Sequence, residues 1–198
     1  MNARLAAVAV VVAVAVGAAG CGGGDPELVG MTRDPEPRVD AVALPDVANG
    51  GQPFEFRAAP DRLLVMYFGY TNCPDICPTT MADLRTALDD VGEDAERIDV
   101  AMVTVDPDRD TDVLADYVRG FVADGHAIAT DDQAALRSVA EPFGVSYEVF
   151  TSPAGDVEVG HSSNLFVVDD TGTLVLTWSF GTSADELAGD LEQLLDEA

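Results

Sequence analysis

The run Leu63-Leu64-Val65-Met66-Tyr67-Phe68 is apolar throughout and of strand length, the pattern of a strand buried on both faces. Ile98 to Val105 repeats that pattern. Between them Pro78 stands where a first helical residue would, and Met81, Leu84, Leu88 and Val91 follow at helical spacing. Thr111 to Val122 is helical by period, Ala127 to Ala129 reads as a short strand, and Asp131 to Ala140 as a short helix ending before Pro142. Strands are expected at Val145 to Phe150, Asn164 to Val168 and Leu174 to Trp178, the last two joined across the turn Asp169-Asp170-Thr171-Gly172. A final helix spans Ala184 to Leu195 with Ser183 as its N-cap. Ahead of all these, apolar alternation from Val39 to Leu44, then Pro45 and Asn49-Gly50-Gly51 before Phe54 to Phe56, predicts an N-terminal β-hairpin. Strands alternating with helices, closed by an antiparallel hairpin and a helix, give an α/β fold class in one domain without internal repeats.

The first twenty residues are different in kind. Leu5 to Gly20 is an uncharged run of Ala, Val, Leu and Gly after Arg4, ending at Cys21. It falls short of the roughly 20 apolar residues a membrane-spanning helix needs, so it reads as a secretory signal. Ala18-Ala19-Gly20-Cys21 resembles the bacterial lipobox, with Ala18 where Leu is more common, which makes Cys21 the expected lipidated residue and membrane anchor. Gly22 to about Asp40 is rich in Gly, Pro, Asp and Glu and reads as a flexible tether. The expected organisation is therefore a signal over residues 1–20, a lipidated cysteine and tether over 21–39, and a folded domain over 40–198, held at the extracytoplasmic face of a bacterial membrane. The chain carries 36 acidic residues against 10 basic ones, all Arg, for a formal net charge of -26. No basic patch offers a nucleic-acid surface; the charge reads first as a solubility feature and second as an acidic surface for a basic partner.

With Cys21 committed to lipid, two cysteines remain, Cys73 and Cys77, in the loop between a buried strand and a helix N-terminus. A disulfide closing so small a loop constrains little unfolded-chain entropy, so redox chemistry or metal binding explains the pair better. Helix N-terminal N–H groups favour the thiolate, the nucleophilic and metal-binding form. The order of elements is that of a thioredoxin-like fold with an N-terminal β-hairpin extension. Its redox site has two residues between the cysteines; here there are three, enough to let both sulfurs face one external atom. Two soft thiolates favour Cu(I), and an imidazole suits copper in either oxidation state. The histidines are His126 and His161. His161 precedes the strand of the closing hairpin, where a thioredoxin-like fold faces the cysteine loop, whereas His126 is assigned a structural or solvated role. Zinc would want four protein ligands and would have to recruit His126.

The run YFGYTNCPDICPTT (Tyr67 to Thr80), the later TVDPDRDT (Thr104 to Thr111) and the pair His161-Ser162 ahead of NLFVVDDTG together resemble the Sco/SenC family of copper chaperones for cytochrome c oxidase. The resemblance spans about Asp40 to Leu195. It implies one copper, as Cu(I) or Cu(II), held by Cys73, Cys77 and His161, and delivery of copper to, or thiol reduction in, the CuA centre of oxidase subunit II, by a protein expected to be a monomer. Asp106, Pro107, Arg109 and Asp110 match the family's VDPxRDT loop, either as a partner contact or as a strand-to-helix connection capped by Asp110 or Thr111. Many relatives carry Asp directly before the metal His, where this chain has Gly160. An alternative function is a thiol-disulfide oxidoreductase, with Cys73 attacking and Cys77 resolving. A peroxidase is disfavoured because Tyr70 stands where a Thr-x-x-Cys pattern needs threonine.

Overall fold

Every residue of β3 (Leu63–Gly69) is buried, as its unbroken apolar run requires, and two strands flank it. In the computed structural model, which describes residues 27–197, β4 (Ile98–Thr104) pairs with β3 in parallel and β8 (Leu165–Val168) pairs antiparallel on its other side. With β1 (Leu44–Asp46), β2 (Gln52–Phe54), β5 (His126–Ile128) and β9 (Leu174–Trp178), they form a seven-stranded sheet in the order β2-β1-β5-β4-β3-β8-β9. The predicted N-terminal hairpin is thus β1–β2, added antiparallel to the β5 edge. The signal and lipidation site expected at residues 1–21 lie outside the described residues; among the described residues no helix is long and apolar enough to cross a membrane.

Helices cover both faces of the sheet. On one, α1 (Ile76–Val91), α3 (Leu114–Arg119) and α5 (Ala184–Glu197) bury Met81, Leu84, Leu114, Val118, Leu187 and Leu191 against Val65, Tyr67 and Met102. On the other, α4 (Gln133–Phe143) buries Leu136, Val139 and Phe143 against Phe68, Val103 and Phe166. Alternation along β3 explains the split, since successive side chains point to opposite faces. Ser183 and Glu186 cap α5 reciprocally: Ser183 N–H and hydroxyl donate to the Glu186 carboxylate at 2.8 Å each, and Glu186 N–H points back to Ser183 Oγ at 3.4 Å.

Three elements differ from expectation. The helix read as Asp131 to Ala140 continues through Pro142 to Phe143. Proline removes one N–H from the last turn, and the two final carbonyls are taken up by Arg33, whose guanidinium donates to Pro142 O at 3.2 Å and Phe143 O at 2.6 Å. The helix expected from Thr111 to Val122 is confined to α3, with Thr111 to Val113 a turn, and a separate one-turn helix α2 (Pro107–Asp110) precedes it, ending on the buried Asp110. Residues 28–39, read as part of a flexible tether, are bound to the domain. Met31 bridges to Thr177 of β9 and Arg38 to Thr173 just before it, and the N–H groups of Val29 and Gly30 donate to the Asp190 carboxylate at 2.9 and 2.8 Å.

Candidate metal centre

The chain leaves β3 at Gly69, turns through Tyr70 to Asp75, and enters α1 at Ile76, two residues earlier than Pro78. This places Cys73 on the turn, half-exposed, and Cys77 in the first helical turn, buried; both are free thiols. Cys77 N–H donates to Cys73 Sγ at 3.2 Å, so the first turn of a sixteen-residue helix points a donor at that sulfur. Burial alone would raise the Cys73 thiol. Hydrogen bonds from the Cys77 thiol, the N–H groups of Cys77 and Asp75 and the Tyr70 hydroxyl outweigh it and hold Cys73 below its ordinary range. Cys77 goes the other way: burial first, then donation towards Cys73, pushes it up to about 12. One thiol is poised to ionise and accessible; the other keeps its proton until something replaces it.

His161 completes the cluster from across the sheet. It is the last residue of β7 (Val157–His161), which pairs with β6 (Tyr147–Thr151) in a separate two-stranded ribbon, whereas the sequence reading had it in a loop. Its Nδ1–H donates to Ser162 O at 2.8 Å, which leaves Nε2 unprotonated and facing Cys77 Sγ at 3.4 Å. Burial lowers the imidazole below its ordinary value, keeping it neutral. The rings of Tyr67 and Tyr70 stand edge-on to it, with centroids 6.2 and 5.6 Å away. The backbone carbonyl of Ser162 therefore does the orienting that an acidic neighbour could have done. A side chain at Gly160 would start in open space with nothing within 4 Å, so glycine there leaves no gap in the packing.

The ligand atoms of Cys73, Cys77 and His161 all lie within 4.8 Å of one another, and among the described residues this is the one such cluster. Donors bound to one ion at roughly 2.0–2.3 Å must lie about 4 Å apart, so closure of about one ångström would seat a metal. His126 is not part of it: its Nδ1 lies 2.6 Å from Asp46 Oδ2 beneath Asn49, at the β1–β5 junction. The VDPxRDT segment is the expected strand-to-helix connection, from the end of β4 into α2, but without the expected caps, since no side chain caps α2 or α3. Asp106 and Asp110 are buried, so neither side chain is on the surface, while Arg109 is partly exposed. Asp106 pairs with Arg109, while Asp110 accepts from Thr71 of the cysteine loop. Thr71 and Gly69 were not singled out from the sequence; both lie within the quoted run before Cys73, but only the tertiary contacts reveal what they do.

An α/β sheet that opens a strand-to-helix loop with two thiols facing an imidazole defines a thioredoxin-like protein built for thiol and metal chemistry. The chain belongs to the SCO1/SenC family, which matches residues 47–196. A protein of Stutzerimonas stutzeri whose name proposes copper binding is 32% identical over 167 residues, covering 81% of this chain and 79% of its own. Among solved structures, the apo Sco1 protein of Thermus thermophilus superposes with a TM-score of 0.71 at 30% identity, covering 85% of this chain and 97% of that one. Bradyrhizobium japonicum ScoI with copper bound gives 0.66 at 25% identity, covering 77% and 96%.

Proposed function

We propose that this protein binds one copper ion through the Cys73 and Cys77 thiolates and His161 Nε2, and passes it on during assembly of cytochrome c oxidase, at the CuA centre of subunit II. In this reading Cys21 carries the lipid that holds a monomer at the extracytoplasmic membrane face. The observation that carries the proposal is the convergence of two sulfurs and one unprotonated imidazole nitrogen within 4.8 Å, in a family with a copper-bound member of the same fold. The donor set is soft enough for Cu(I), and the imidazole extends it to Cu(II). Cys73, the half-exposed ligand, is the one an acceptor's donor atom can reach, so exchange begins there while Cys77 and His161 hold from beneath.

The split between an accessible, readily ionised Cys73 and a buried, protonated Cys77 also favours a second reading, thiol-disulfide exchange. The Cys73 thiolate attacks a client disulfide and expels one client thiolate. Cys77 then loses its proton and displaces the second, leaving a Cys73–Cys77 disulfide and a reduced client. Anaerobic titration of the reduced protein with copper separates the two, following the sulfur-to-Cu(II) charge-transfer band beside Cys73→Ser, Cys77→Ser and His161→Ala. One copper per chain, lost in the cysteine variants and altered in the histidine variant, is the expected result. No copper above background, with the dithiol still exchanging readily, would leave the oxidoreductase.

A further inference from the structure

Asp110 has no exposed surface and, among the described residues, no cation on its carboxylate, yet it is well satisfied. Oδ2 accepts from Thr71 N–H at 2.9 Å and from the Thr104 hydroxyl at 2.6 Å, and Oδ1 accepts from the Thr71 hydroxyl at 2.6 Å. Thr104 Oγ1 accepts in turn from Asp106 N–H at 3.0 Å. The donors run one way, from the Asp106 backbone through Thr104 to Asp110, and the carboxylate is the common acceptor for two segments distant in sequence. Thr104 ends β4, inside the sheet. Thr71 lies on the exposed turn two residues before Cys73, with Asn72 the only residue between them. Within the turn itself Cys73 N–H reaches Tyr70 O only at 3.4 Å, and Cys73 Sγ is met from the helix side by Cys77 N–H at 3.2 Å, so Thr71 is the residue through which the start of the turn is tied to β4 and α2.

Burying a carboxylate is costly unless its oxygens are hydrogen-bonded, and here two of the three bonds are spent on a single loop residue. Domain stability alone would be served as well by an apolar contact at this place. What the carboxylate adds is direction, because Thr71 is held by both its backbone and its side chain and cannot rotate without breaking both bonds.

We propose that Asp110 is a positioning residue for the cysteine loop: through its two bonds to Thr71 it fixes Cys73 opposite Cys77 and His161, and so sets how long the centre retains its metal. This rests on the copper reading for its metal arm, but the positioning itself is a property of the dithiol and is testable without metal.

The experiment compares wild type, Thr71→Val, Thr71→Ser, Asp110→Asn and Thr104→Val as full-length protein in detergent. Thr71→Val removes the side-chain bond between loop and clamp; Thr71→Ser keeps it; Thr104→Val removes a bond to the same carboxylate on the sheet side. Three quantities are read: copper dissociation rate with its charge-transfer band, iodoacetamide alkylation rate of Cys73 in reduced copper-free protein, and melting temperature. Partners that orient metal ligands typically matter 10- to 100-fold in affinity. Thr71→Val and Asp110→Asn should therefore release copper about tenfold faster or more, with a shifted band, and change the Cys73 alkylation rate several-fold. Thr71→Ser should behave as wild type, and Thr104→Val should lower the melting temperature with a much smaller effect on the other two readings. Should Asp110→Asn fail to fold, the Thr71→Val and Thr71→Ser pair decides. Wild-type alkylation and copper release in a folded Thr71→Val overturns the proposal, as does an equal effect of Thr104→Val, which would make the network merely structural. If wild type binds no copper, the copper reading fails and the alkylation rates alone judge the clamp.

Discussion

Cys77 is seated under a residue that has no side chain. A Cβ built on Gly69 would lie 2.6 Å from Tyr67 Cε1, 3.1 Å from Met102 Cε and 3.2 Å from Cys77 Sγ. The end of Met102 can yield, but the Tyr67 ring is fully buried and cannot. Gly69→Ala is expected to cost about 1–3 kcal/mol through overpacking, and to part Cys77 from His161. Urea denaturation reads the first effect and copper stoichiometry the second; a loss below about 0.5 kcal/mol, the size of an ordinary surface substitution, would show that the sulfur has room to spare. His161 carries a pH dependence of definite sign. Its folded pKa lies below the ordinary 6.5 because burial disfavours the imidazolium. Between the two values the unfolded chain holds the extra proton, so stability falls as pH drops from about 6.5 through the folded pKa. In reduced, metal-free protein, His161→Gln should flatten the stability profile between pH 7 and 5, and parallel profiles for the two proteins would mean that the ring is not held neutral. Cys77 adds nothing in that window, since burial pushes it up to about 12.

At the scale of elements, what could be read along the chain was whatever recorded its burial locally. Leu63 to Phe68 and Leu174 to Trp178 are strands as expected, because uniform or alternating apolar runs carry their environment with them. The metal cluster was legible for the same reason in Cys73 and Cys77, which share one loop. His161 was placed correctly opposite that loop but not on its strand, since β7 exposes Val157, Glu158 and Gly160 and shows no buried face. The extent of α4 past Pro142 depends on Arg33, 109 residues earlier in sequence, and the binding of residues 28–39 depends on Asp190, 160 residues away from Gly30. Neither partner is visible in a local window. The second of these makes a prediction. Asp190 is nearly fully buried and accepts from Val29 N–H, Gly30 N–H and, at 2.7 Å, Trp178 Nε1. Asp190→Ala strands those donors and should cost about 1–3 kcal/mol. Limited proteolysis should then cut first between residues 28 and 39, ahead of any site within the sheet. A variant that melts lower but is cut in the wild-type order would place the effect in α5 and Trp178 rather than in the N-terminal strap.

Across the whole molecule the charge imbalance opposes the fold. Thirty-six acidic residues face ten arginines, and among the described residues the Arg–carboxylate pairs are Arg38–Asp40, Arg57–Glu55, Arg62–Asp99, Arg109–Asp106 and Arg119–Asp116. Exposed pairs contribute roughly 0–1 kcal/mol each, and salt weakens them, so on their own they would make the protein less stable as salt is added. The formal excess of 26 negative charges acts in the opposite sense. A folded chain of this length has a radius of gyration of about 16 Å, against about 48 Å when unfolded, so folding brings the carboxylates together and raises their mutual repulsion. The screening length is about 30 Å at 0.01 M salt, longer than the folded radius of gyration, and about 10 Å at 0.1 M, shorter than it. Repulsion across the molecule is thus removed over that range, and the melting temperature should climb with most of its rise between 0.01 and 0.1 M NaCl. A flat or falling melting temperature would mean that the arginine pairs outweigh the field. The same field has a second signature of opposite sign: association with an acceptor that presents basic residues should slow as salt rises. Calorimetry and association kinetics on one salt series therefore separate a charge that merely keeps the protein soluble, which would move only the first, from one that also guides its partner, which would move both.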